Sequence, residues 1–162
     1  MPNKHTFSIK PIYQLLRDVI HEDDFVVDPF ANGNSEFANI TNDLNPEFET
    51  DFHMDALDFL KMFEDSSIDA VLYDPPYSLR QVSESYKGVG IEVTQKTTQS
   101  SWRARHLDEI KRVLKVGGTC VSFGWNTSGV GKTRGFEIKR ILLVPHGGSH
   151  NDTLVTVEKK IE

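Results

Sequence analysis

The chain has 162 residues, 18 Lys plus Arg against 24 Asp plus Glu, a formal net charge of −6, and 38% hydrophobic and 26% charged residues. That length suits one folded domain with a real core, and the composition excludes a disordered chain. The acidic balance argues against a protein whose main work is coating nucleic acid through phosphate contacts, although an enzyme acting locally on nucleic acid stays open. No apolar run approaches the roughly 20 residues that span a bilayer, and MPNKHTFSIKP at the N-terminus has no apolar h-region. The lone Cys120 lies in an apolar segment and reads as a core residue in a reducing compartment. A cytoplasmic protein without membrane contact is expected.

In chain order, KPIYQLLRDVI (10–20) carries apolar residues at helical spacing, with Pro11 in the first turn. DFVVDPF (24–30) reads as a short buried strand stopped by proline. SEFANITNDLNP (35–46) suggests a turn or short helix, a strand at 39–41 and another turn. DFHMDALDFLKMF (51–63) predicts a brief strand and then a helix, and SIDAVLYD (67–74) is the clearest strand of all. Residues 78–101 are polar with little periodicity, which predicts a long, mobile loop of functional kind. WRARHLDEIKRVLKVGG (102–118) predicts an amphipathic helix ended by Gly117 and Gly118, and TCVSFGW (119–125) a buried strand. The segment 136–160 predicts two strands around a turn at 145–151, a β-hairpin. Strands alternating with helices and closing on a hairpin imply a mostly parallel α/β sheet with an antiparallel end.

In such sheets ligands bind at the carboxyl ends of the strands. The first expected strand ends in DPFANGN, where Gly33 permits positive φ and close backbone approach. The second ends near Asp43, placed either to accept from a ribose diol or to serve a turn. Asp55 follows the third, where it could accept from an exocyclic amine or cap the helix after it. His53 reads as a half-buried turn histidine, because no second ligand stands at metal spacing. The fourth runs into Asp74-Pro75-Pro76-Tyr77. Proline keeps Asp74 out of helical geometry, and two prolines remove two N–H donors. A rigid cluster of acceptors without donors remains, suited to hold a substrate –NH2, with an aromatic face beside it on which a ring could stack.

Asp74 to Tyr77 resembles the catalytic motif of the amino-methyltransferases, which methylate exocyclic nitrogens of adenine or cytosine with S-adenosylmethionine. DPFANGN resembles that family's cofactor loop, with Asn34 where the pattern has its last glycine, and FSIKP (7–11) and the terminal hairpin resemble family elements as well. The resemblance implies a Rossmann-like class I methyltransferase fold with a mostly parallel seven-stranded sheet, in one domain over 1–162. It implies S-adenosylmethionine bound by Ser8, Lys10, Asp28, Pro29, Phe30, Gly33, Asp43 and Asp55. Asp74, Pro75, Pro76 and Tyr77 would be catalytic on adenine N6 in DNA, with the base flipped out of the stack and no metal. Arg80, Lys87, Arg103 and Arg105 are candidate phosphate contacts, within a basic block that also contains Lys96, Lys111, Arg112 and Lys115.

The family's usual target-recognition domain has no counterpart, so specificity falls to 78–101, to a homodimer or to a separate partner. Small enzymes of this shape suggest a phage or mobile element. RNA adenine N6 or DNA cytosine N4 as the target, and a partner-dependent subunit with little activity alone, are the rival readings. GVGKTRG (129–135) imitates the end of a phosphate-binding loop, but Asn126 stands where its first glycine belongs and Gly135 discourages the helix that should follow.

Overall fold

The computed structural model describes residues 5–34, 36–92 and 101–162. Phe7 lies in a 3-10 turn, Thr6–Ser8, directly before the first helix, and Pro11 sits in the first turn of that helix, α1 (Lys10–Val19). Chain direction then alternates through β1 (Val26–Asp28), β2 (Ile40–Thr41), α2 (Ala56–Lys61) and β3 (Ile68–Tyr73). Next come α3 (Leu79–Gly88), α4 (Ser101–Val113) and β4 (Leu114–Gly124), and the hairpin strands β5 (Phe136–Val144) and β6 (Thr153–Lys160) close the chain. The sheet order is β2-β1-β3-β4-β6-β5, parallel from β2 to β4 and antiparallel through β6 and β5.

The central strands are mostly apolar because both faces are covered. On one face, Ile12, Leu15 and Leu16 of α1 pack with Phe7 against Val26, Ala70, Leu72 and Val121. On the other, Phe59 and Leu60 of α2 and Leu107, Ile110 and Val113 of α4 cover Val27, Val71, Tyr73 and Cys120. Period-two alternation along β3 therefore feeds two cores at once. Cys120 is fully buried, and burial pushes its thiol up to about 12. No helix among the described residues is long and apolar enough to cross a membrane.

Three expectations need correction. Among the described residues the sheet has six strands, not seven: 51–53 meets its neighbour through a single isolated bridge, Asn42 to Phe52. Asp51 Oδ2 takes the backbone N–H of Thr41 at 2.8 Å and its hydroxyl at 3.1 Å, so a side chain replaces a further ladder bond there. The helix expected over 102–118 ends at Val113, and Leu114 already pairs with Ile68. Its terminal carbonyls are met by tertiary partners rather than by a glycine cap: Ser66 N–H and Ser67 N–H donate to Arg112 and Val113 O at 2.9 Å. Lys160 Nζ donates to Lys111 O and Leu114 O, both at 2.7 Å. Gly117, φ +85°, belongs instead to an irregular excursion of β4 between its pairings with Ile68 and Ala70.

The third correction concerns 78–101, which is not loop throughout. Ser78 caps α3 by accepting from Gln81 N–H at 3.2 Å, and Gln81 Oε1 reaches back to Tyr77 N–H at 2.7 Å. That is close to the Ser-x-x-Gln capping box, and Val82 and Tyr86, one turn apart, bury against Trp102 of α4. Residues 93–100, which include Lys96, lie outside the described residues.

Candidate active site

Strands β1, β2 and β3 present their carboxyl ends to a cavity of about 320 Å³. Its walls come from the loops after these strands, including Pro29, Phe30, Asp43, Asp55 and Asp74, and from one side of α3. Each carboxylate has a definable task.

Asp28 is fully buried; Oδ1 accepts from Phe30 N–H at 3.0 Å and Oδ2 has no partner. Burial drives its carboxyl well above the usual range, Phe30 N–H opposes this, and Asp74 and Asp43 add repulsion. The loop after it turns tightly: Ala31 N–H donates to Asn42 O at 2.9 Å and Asn34 N–H to Ala31 O at 2.7 Å. The left-handed residues are Asn32 and Gly33, φ 51° and 81°, so glycine's freedom is used at 33, while Asn34 contributes its backbone donor.

Asp43 is half-buried on the cavity wall. Oδ2 accepts from Asn32 N–H at 2.8 Å and Oδ1 from Asn45 N–H at 2.9 Å, which ties the first loop to the second. Burial raises its pKa, and those two N–H groups and nearby His53 hold it back. Each carboxylate oxygen retains a lone pair for a ligand hydroxyl.

Asp55 answers the question left by its sequence position: it caps α2, Oδ1 accepting from Leu57 N–H at 2.9 Å. Its Oδ2 accepts from the Tyr86 hydroxyl, which in turn receives Trp102 Nε1–H at 3.3 Å. Asp55 still borders the cavity.

Asp74 is 1% exposed, takes the Tyr77 hydroxyl on Oδ1 at 2.9 Å and leaves Oδ2 without a partner. Burial lifts its pKa to about 7 against the lowering effect of Tyr77. Pro75 is buried and Pro76 lies on the cavity wall. The Tyr77 ring is partly buried, edge-on to Trp125 with centroids 5.6 Å apart, and the ring is not part of the cavity wall.

Not every expected site residue comes together. Ser8 and Lys10 are exposed, and Ser8 Oγ donates to His5 O at 2.8 Å; neither lines the cavity. The segment containing them packs Phe7 on Phe123, centroids 5.2 Å apart, and starts α1. Arg103 points inward, its guanidinium 5.2 Å above the Tyr73 ring, so a surface phosphate contact does not suit it. Arg80 is exposed in a pair with Glu84 at 2.9 Å, and Lys87 is exposed in the last turn of α3. Arg105 is half-buried on α4, with Nη1 donating to Ser101 Oγ at 3.2 Å. His53 is exposed rather than half-buried. Among the described residues no cluster of His, Cys, Asp and Glu could hold a metal. In the 129–135 loop the backbone N–H groups of Val130 and Gly131 are taken by the Glu158 carboxylate, at 2.7 and 3.0 Å.

Sequence reasoning missed Asn42, Tyr86 and Trp102. Asn42 is fully buried; its amide donates to Pro29 O at 3.1 Å and Met54 O at 2.9 Å, and its carbonyl accepts from Met54 N–H at 3.0 Å. It holds three cavity loops in register, and no local pattern marks it. Asn42→Ala strands these backbone groups in the interior, so a loss of about 3 kcal/mol in urea unfolding is expected. Tyr86 and Trp102 carried a readable signal, Tyr86 one helical turn after Val82. Phe30, Tyr73, Trp102 and His106 form an aromatic floor, with His106 only 4.3 Å from Trp102. His106 Nδ1 is 3.0 Å from the Tyr73 hydroxyl, and burial lowers its pKa to about 4, so it is neutral near pH 7.

No family model and no curated protein matches the sequence. Solved structures do share its fold. The chain is similar to a SAM-dependent methyltransferase from Methanosarcina mazei, at 13% identity and TM-score 0.59, over 92% of this chain and 98% of that one. An rRNA methylase from Streptococcus thermophilus gives 12% identity and TM-score 0.56, over 95% and 97%. The Burkholderia thailandensis 1,6-didemethyltoxoflavin-N1-methyltransferase, with 1,6-didemethyltoxoflavin and S-adenosylhomocysteine bound, gives 12% and 0.62, over 94% and 78%. At these identities the likeness is one of fold. The chain has the Rossmann-like methyltransferase fold, with a six-stranded sheet.

Proposed function

We propose that the protein transfers the methyl group of S-adenosylmethionine to the exocyclic N6 amine of adenine in DNA. The observation that carries this reading is Asp74: a buried carboxylate on the cavity wall with one oxygen unpartnered, followed by two prolines without N–H donors. An aromatic amine delocalises its lone pair into the ring and is a weak nucleophile. Asp74 Oδ2 and the Pro75 carbonyl accept its hydrogens and hold them out of the ring plane, which returns the lone pair to nitrogen. Positioning and charge complementarity do the rest.

The residues present fit the cofactor. Asp43 offers free lone pairs at the mouth of a loop it organises, suited to the ribose diol. Asp55 borders the same cavity for the adenine amine while capping α2. Pro29 and Phe30 give an apolar wall. Gly33 lets the loop turn, and Asp28 beneath it keeps one oxygen without a hydrogen-bond partner. When bound, the cofactor supplies a methyl group made electrophilic by a sulfonium.

Arg80 and Lys87 on exposed α3 are the basic groups best placed for backbone phosphates, with Arg105 beyond them. Target choice belongs to α3 and the residues after it, or to a second subunit or separate protein. Methyl transfer from labelled cofactor to unmethylated genomic DNA and to total RNA tests the reading, with digestion to nucleosides and mass identification. N6-methyldeoxyadenosine is the expected product; label confined to RNA, or on cytosine N4, would reassign the substrate.

A further inference from the structure

Trp125 is the first residue after β4, whose carboxyl end lies beside that of β3. In this parallel pair Tyr73 stands opposite Ser122. Three residues further along each chain, Pro76 of the cavity wall comes level with Trp125. The contact between Tyr77 and Trp125, centroids 5.6 Å apart, keeps the two chains together past the strand ends. Trp125 is 40% exposed, and among the described residues it is the one aromatic of the exposed large apolar side chains.

Tyr77 is poorly placed to be the stacking face that its position in the motif suggests. Its hydroxyl is committed to Asp74 Oδ1 at 2.9 Å and its N–H to Gln81 Oε1 at 2.7 Å. Its half-buried ring packs against the core cluster that holds Phe7, Phe123 and Val144. Trp125 has the opposite character. It meets the Tyr77 ring at 76° and keeps much of its surface in solvent. The chain around it is fixed: Gly124 pairs with Leu154, and Asn126 Oδ1 accepts from Ser128 N–H at 3.0 Å. The Glu158 carboxylate holds the N–H groups of Val130 and Gly131 a few residues later. A ring carried on so anchored a loop gives up little freedom when it binds.

We propose that Trp125 is the ring on which the target base stacks while its amine is held at Asp74, so that the ligand on this side of the site is a single unstacked nucleobase. This rests on the methyltransferase reading. A base still attached to its strand crosses the rim of the site between buried Asp74 and solvent, and Trp125 is the exposed ring at that rim. Stacking is tolerant of sequence because every base has a π-face. Trp125 therefore contributes affinity for a base of any identity, and the acceptors at Asp74 and Pro75 select one that carries an exocyclic amine.

Two measurements on the full chain test this. Heat-denatured, unmethylated genomic DNA titrated into the wild type should quench tryptophan emission, because a base stacked on an indole quenches it. The chain has two tryptophans, and the other, Trp102, is buried, so Trp125→Phe should remove most of the quench. In turnover, Trp125→Ala should raise the KM for DNA about tenfold or more, while Trp125→Phe keeps a flat ring and most of the affinity. A role limited to holding Tyr77 would instead lower kcat and leave both the KM for DNA and the quench alone. No quench in the wild type, an equal quench in Trp125→Phe, or a wild-type KM in Trp125→Ala overturns the assignment. Absence of methyl transfer in the wild type would overturn the enzymatic reading, and the quench would still decide whether Trp125 takes a base.

Discussion

Asp74→Ala is expected to lower methyl transfer by about 10³-fold while binding of S-adenosylhomocysteine changes little. The substitution removes the acceptor for the target amine, and none of the carboxylates assigned to the cofactor depends on Asp74 for its hydrogen bonds: Asp43 and Asp55 are held by Asn32, Asn45, Leu57 and Tyr86. The pH profile should carry the same signature. Only the ionised carboxyl accepts from the amine, so turnover should rise with pH and level off above about 7, the pKa to which burial lifts Asp74.

Stability should run the other way. An Asp74 carboxyl with an ordinary pKa of 3.8 unfolded and about 7 folded keeps a proton in the folded state that the unfolded chain has lost. The folded protein therefore loses stability as pH rises from about 4 to 7 and no further above that, by a total on the order of 4 kcal/mol. Asp28, raised in the same sense by burial, adds to this. Asp69, whose pKa is lowered by Phe25 N–H and Lys115, works in the opposite sense at more acid pH. The difference between wild type and Asp74→Ala isolates the one group: their melting temperatures should diverge from pH 5 to pH 8, with the variant the more stable at pH 8. Curves that stay parallel would mean Asp74 titrates normally.

Asp43→Ala is expected to weaken S-adenosylhomocysteine binding about 10²-fold or more, measured by calorimetric titration. Two hydroxyl hydrogen bonds to a charged acceptor contribute about 1.5–3 kcal/mol each when they form. The same carboxylate holds Asn32 and Asn45 N–H, so its loss also loosens the turn at Asn32–Gly33. Thermal melting without ligand separates the two effects, since only the loosened turn lowers the unliganded midpoint. Asp43→Asn keeps one carbonyl acceptor and should fall between the variant and wild type.

The strands were readable where burial is simple. Residues 67–74 and 119–125 are mostly apolar, and 136–160 reads as two strands around a turn, so β3, most of β4 and the terminal hairpin could be placed from pattern alone. The same holds for Asp28, Asp43, Asp55 and Asp74, because a parallel sheet brings the residues after its strands to one edge. Elements whose ends depend on distant partners were not readable. α4 stops at Val113 because Ser66, Ser67 and Lys160 capture its last carbonyls, and each lies more than 40 residues away. The strand expected at 51–53 shrank to a bridge because Asp51 satisfies Thr41. α3 was hidden differently: its Ser78-x-x-Gln81 cap was present in the sequence but outweighed by polar composition.

What the sequence alone determined is the alternation of elements and the chemistry placed at their ends, since both follow from local period, proline geometry and side-chain type. Only the tertiary structure decided which of those groups share a cavity, that Ser8 and Lys10 stay outside it, and that Arg103 turns inward to Tyr73. It alone joined Asn42 to Pro29 and Met54, and Tyr86 to Asp55, 31 positions earlier. Such links depend on strand order and on the desolvation that neighbouring elements impose, and neither is written in any single stretch of chain.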